Sequence, residues 1–100
     1  MARSKIGIPE DKIAGFCRRY HIRKLALFGS VLREDFRPDS DVDVLIEFEP
    51  NAQIGFIAMS RMQRELSNLL QHPVDLVPQE GLKPQIREAV LSSAEVVYAA

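Results

Sequence analysis

The sequence predicts an α/β sandwich of the α+β kind, a small mixed sheet of three to four strands with helices packed on it. Three observations predict it. Apolar runs of strand length, "RKLALFG", "DVDVLIEF" and "VDLVP", alternate with stretches of helical periodicity. Proline, glycine and asparagine punctuate the junctions. A chain of 100 residues, 46% hydrophobic and 27% charged, has room for one domain around one core.

The elements follow in order. A helix is expected from Pro9 to Tyr20, because Pro9 suits its first turn, Glu10 and Asp11 suit its positive end, and Ile13, Phe16, Cys17 and Tyr20 share one face. "RKLALFG" is a strand ended by Gly29, with a short helical turn from Ser30 and a loop through "EDFRPDS". "DVDVLIEF" is the second strand, broken by "EPN". A long helix from Gln53 to Leu70 carries Ala58, Met62, Leu66 and Leu69 as its apolar stripe, and His72 and Pro73 close it. "VDLVP" is the third strand. "GLKPQIREAVLSSA" is the last helix, with Leu82, Ile86, Ala89 and Val90 turned inward, and "EVVYA" is a fourth strand or a tail.

Composition narrows the function. No apolar run reaches the roughly 18 residues that span a membrane. The basic start "MARSKIGIPEDK" lacks the apolar segment of a signal peptide, and one cysteine cannot staple a fold, so a cytoplasmic protein is expected. A net charge of −1 and a pI near 6.1 give weak footing on a polynucleotide backbone, so direct nucleic-acid binding is not expected.

One stretch departs from core-building logic. Asp41 and Asp43 open a strand whose Val42, Val44, Ile46 and Phe48 are suited to burial on the opposite side. Asp75 stands between Val74 and Leu76 in the third strand, where aspartate is disfavoured. If the two strands are neighbours, three carboxylates converge. Two unit charges about 5 Å apart repel by roughly 3 kcal/mol at an effective dielectric of 20, so such a cluster calls for protons or a cation. Mg²⁺ takes oxygen ligands and is commonly completed by substrate phosphates. Taken singly, an Asp-x-Asp is ordinary solvated surface or a turn cap, and a lone Asp75 is an exposed edge residue. Their coincidence with Gly29-Ser30, between an apolar strand and a helix start, points instead to a phosphate cradle: the glycine admits close approach, and the serine offers a hydroxyl and a backbone donor.

Gly29-Ser30, ten residues, Asp41-Val42-Asp43 and then Asp75 in "VDLV" together resemble the signature of the minimal nucleotidyltransferase (MNT) domains of the DNA polymerase β-like superfamily. The resemblance covers nearly the whole chain, taken as one domain over residues 1–100, and implies the nucleotidyltransferase fold. The usual Gly-Ser-x-Ala-Arg-Gly reads Gly29-Ser30-Val31-Leu32-Arg33-Glu34 here, so Leu32 and Glu34 stand where the family has alanine and glycine.

The resemblance implies roles. Asp41, Asp43 and Asp75 would be catalytic and hold one or two Mg²⁺ ions. Gly29 and Ser30 would bind the phosphates of ATP or another NTP, Arg33 would either approach those phosphates or pair on the surface with Glu34 or Asp35, and Asp75 would help deprotonate an acceptor hydroxyl. It also implies a partner, the HEPN-domain RNase toxin of toxin–antitoxin pairs, in a hetero-oligomer. Three functions stay open: a protein adenylyltransferase that silences the toxin, an antitoxin that acts by binding and occlusion, and a transferase subunit for a small molecule or an RNA end. His21 and His72 lack metal-ligand partners, Cys17 and the methionines read as packing, and Arg61 and Arg64 read as a solvated face.

Overall fold

The protein is described by a computed structural model covering residues 7–29 and 41–100. Helix α1 (Glu10–Arg19) starts after Pro9, carries Glu10 and Asp11 in its first turn and Arg18 and Arg19 in its last, and buries Ile13, Phe16 and Cys17. The acids and bases each lie at the end of the helix dipole that favours them. Strand β1 (Ile22–Phe28) follows, then β2 (Val42–Phe48), α2 (Phe56–Leu70), β3 (Val74–Pro78), a 3-10 turn (Gln79–Gly81), α3 (Pro84–Ser93) and β4 (Glu95–Ala99).

The four strands form one mixed sheet in the order β3-β2-β1-β4. β1 is antiparallel to both β2 and β4, while β2 and β3 run parallel. A parallel pair needs a crossover, and α2 supplies it. The segment "EVVYA" is therefore a strand, completing the sheet as its second edge.

Helices α1 and α2 cover one face. Val42, Val44 and Ile46 of β2 pack there with Leu25 and Leu27 of β1, with Phe16 of α1 and with Met62, Leu66 and Leu70 of α2. The two helices are also clamped by polar contacts. The Tyr20 hydroxyl donates to Glu65 Oε1 at 3.0 Å, and the Arg19 guanidinium pairs with Glu65 Oε2 while lying 5.8 Å from the centre of the Tyr20 ring. The other face is covered more thinly, by Leu82 and the inward side of α3, over Ala26 and Leu45.

Several boundaries differ from the sequence expectation. Helix α2 begins at Phe56 rather than Gln53, with Gly55 extended at its N-cap, and its buried stripe ends on Leu70 where Leu69 is half-buried. The last helix begins at Pro84, not Gly81. Lys83 precedes a proline and is held extended at φ −67° and ψ 141°, so the helix cannot run back through it. That shift re-aims the helix: Leu82 is buried ahead of it, Val90 packs against the sheet, and Ile86 and Ala89 are exposed rather than inward. The acidic side of β2 is also less polar than alternation suggests, because Leu45 is buried on it. The expected turn from Ser30 and the "EDFRPDS" loop lie outside the described residues.

Candidate active site

Asp43 and Asp75 meet through strand register. β2 and β3 pair in parallel with Asp43 opposite Asp75 and Val42 opposite Val74. Adjacent strands lie roughly 4.8 Å apart, so the two carboxylates start from neighbouring backbone positions. Val74 and Leu76 turn into the core beneath α2, which leaves Asp75 on the opposite face and exposed; Asp43 shares that face and is half-buried. Both line a hollow of about 510 Å³ between the sheet and the start of α3. The apolar part of its lining is Phe28, Val77, Leu82 and Ile86, and its ionisable part is Asp43, Asp75 and Lys83.

Gly29 explains how β1 leaves the sheet beside this hollow. Its φ is +76°, in the left-handed region where a side chain is strained, and a Cβ built on it would collide with Asp43 Oδ2. Phe28, the residue before it, pairs across the ladder with Asp43. Glycine is thus required here twice over, by backbone conformation and by the carboxylate at its back. Asp41 sits one residue ahead of β2, exposed, and does not line the hollow. Among the described residues no three His, Cys, Asp or Glu side chains are placed to hold a metal ion by themselves. Ser30 and Arg33 lie outside the described residues.

Sequence reasoning singled out both carboxylates of the hollow but missed its walls. The sequence pattern places Phe28 within a strand and Leu82 and Ile86 on the core side of a helix. The dipeptide Lys83-Pro84 is the signal for Lys83, because it marks the helix start that puts the lysine beside the site.

Residues 10–97 match the nucleotidyltransferase domain family. The chain belongs to that family. This nucleotidyltransferase is 38% identical over 80 residues, 80% of its own length and 77% of the relative's, to a protein of Thermococcus cleftensis named protein adenylyltransferase MntA. Its fold matches a solved structure described as a candidate minimal nucleotidyltransferase, with a TM-score of 0.70, 35% identity and 85% of each chain covered. A complex of a tri-AMPylated Shewanella oneidensis HEPN toxin with its MNT antitoxin matches it with a TM-score of 0.64 and 20% identity, over 91% of this chain and 70% of that one, a likeness of fold. A toxin–antitoxin crystal structure with AMP-PNP aligns at a TM-score of 0.71 and 22% identity, covering 93% of this nucleotidyltransferase and 75% of that chain. Among the described residues no helix is long and apolar enough to cross a membrane.

Proposed function

We propose that this nucleotidyltransferase moves AMP from ATP onto a hydroxyl of a partner protein, and that it serves as the antitoxin of a HEPN-domain RNase toxin in the cytoplasm. The observation that carries the reading is the pairing of Asp43 with Asp75 in one hollow, flanked by a glycine whose missing side chain makes room for Asp43. The relative named as a protein adenylyltransferase and the fold match to a complex of a tri-AMPylated HEPN toxin with an MNT antitoxin support the choice of nucleotide and partner.

The roles follow from the chemistry of each group. The carboxylates are hard oxygen donors, as Mg²⁺ prefers, so Asp41 and Asp43 would hold the ion that accompanies the triphosphate, with Asp75 beside a second. Bound there, Mg²⁺ supplies positive charge that offsets the carboxylate repulsion and stabilises phosphoryl oxygens. Gly29 and Ser30 would cradle the outer phosphates with backbone N–H groups and a hydroxyl, and Arg33 would reach them from the following residues. Asp75, on the edge strand, would accept the proton of the attacking acceptor hydroxyl. Alignment of the two substrates then supplies much of the rate, as in phosphoryl transfer generally.

Incubation with labelled ATP, Mg²⁺ and a HEPN-domain toxin tests the reading. Label should appear on the toxin and disappear with Asp43→Asn. In a second reading, an antitoxin that works by occlusion, the acid site is unused. Tight complex formation without label would select that alternative.

A further inference from the structure

Lys83 lines the hollow with both carboxylates, and none of the roles above uses it. Its backbone is held from both sides. Leu82 before it is buried with Ala26 and Leu45, Pro84 after it starts α3, and its own carbonyl accepts from the N–H groups of Ile86 at 3.1 Å and Arg87 at 3.0 Å. The side chain is exposed, and among the described residues no hydrogen bond or ion pair engages it. It is also the one cation among the residues described as lining the hollow. What sets it apart from a lysine that only solvates the surface is its place beside both carboxylates of the hollow.

Sheet order separates the flank of Gly29 from that of Asp75. Gly29 ends β1, so a phosphate cradle there lies on the β1 flank of Asp43. Asp75 belongs to β3, on the opposite flank, while Lys83 follows Leu82, which packs on Ala26 of β1 and Leu45 of β2, so it stands over the hollow between the two.

We propose that Lys83 is a catalytic residue, its ammonium binding a non-bridging oxygen of the α-phosphoryl group as the acceptor attacks. This rests on the transferase reading above. In the step, the acceptor oxygen forms a bond to the α-phosphorus, and the bond from that phosphorus to the pyrophosphate oxygen breaks. Pyrophosphate leaves with the electron pair, and the hydroxyl proton passes to Asp75 and on to solvent. Lys83 keeps its proton throughout and acts only by charge, which grows more valuable as negative charge shifts over the phosphoryl oxygens.

The test compares Lys83→Met, of similar length without charge, with Lys83→Arg. Single-turnover transfer from labelled Mg·ATP to a HEPN-domain toxin is measured alongside the affinity for Mg·AMP-PNP and the Tm. Lys83→Met should slow transfer about 100-fold while changing AMP-PNP affinity less than about threefold, and Lys83→Arg should recover most of the rate. An unchanged rate in Lys83→Met overturns the assignment. So does a matching loss of AMP-PNP affinity, which would put the lysine on the phosphate tail, or a parallel fall in Tm in both variants, which would make it structural. If the wild-type protein places no label on the toxin, the transferase reading itself fails; wild-type transfer with an indifferent Lys83→Met sinks the lysine alone.

Discussion

On one face of the sheet, Val42, Val44 and Ile46 are 0%, 0% and 1% exposed beneath α1 and α2; on the other, Asp43 is half-buried and Asp75 exposed beside an open hollow. The same two strands make both faces, residue by residue in alternation. Among the described residues fourteen side chains close the first core and three close the second, so stability is concentrated where the chemistry is not. The thin cover of the second face leaves the carboxylates reachable by substrate. A fully packed second face would have buried two like charges at substantial cost. The arrangement teaches a division of labour: one helix pair holds the sheet, and the third helix shapes a site more than it seals a core.

Breaking the comparison on the open face should give the largest effect. Asp43→Asn should lower nucleotidyl transfer by about a thousandfold or more, equivalent to about 4 kcal/mol of transition-state stabilisation, with the Tm within about 5 °C of wild type. Thermal melts and a labelled-ATP assay check both halves; a collapse of the fold would show that the open face also carries stability.

The closed face should respond in the reverse sense. Phe16 is 1% exposed and its ring packs tilted against Tyr20 with centres 5.1 Å apart, so Phe16→Ala should cost about 3–5 kcal/mol in urea unfolding. The fraction that remains folded should keep its affinity for Mg·AMP-PNP, because Phe16 lies across the sheet from the hollow. Loss of nucleotide binding by the folded fraction would mean that the two faces are coupled.

Gly29→Ala sharpens the boundary between the two. It imposes a left-handed backbone on a residue with a side chain and drives a methyl into Asp43. We expect about 1–2 kcal/mol of lost stability together with a loss of transfer larger than that cost explains, read by melts and kinetics on one preparation.

The last expected effect appears only in alkali. Burial pushes the Cys17 thiol up to about 12 from its ordinary 9.0, opposed in part by the Arg18 charge. Between those values the unfolded chain loses the thiol proton and the native protein keeps it. The native state therefore binds more protons, and stability falls as pH rises from about 9 to 12. Cys17→Ala should flatten that decline in pH-dependent unfolding, and the native thiol should resist iodoacetamide at neutral pH.

Much of this was legible from residues alone. The apolar alternation of Val42, Val44 and Ile46 against Asp43, and of Val74 and Leu76 against Asp75, correctly assigned each strand two unlike faces. The acids of the hollow were visible because aspartate is out of place in such strands. Its walls were not visible, because Phe28, Leu82 and Ile86 have the same character whether they fill a core or line a cleft. Treating residues 81–94 as one helix also put Ile86 inward, an error traceable to Pro84 and the extended residue before it.

Local chemistry, then, was enough to mark the three helices and the first three strands, to decide which side of β2 and β3 carries the acids, and to name three acids and a Gly-Ser pair as candidates for one site. Packing alone decided that β2 and β3 lie side by side in the register that sets Asp43 against Asp75, that Asp41 falls outside the hollow, and that Lys83 joins it. Side-chain alternation is a property of each strand by itself, whereas neighbour order and register are set by the crossover helix and by burial of the shared apolar face, which involve residues far apart along the chain.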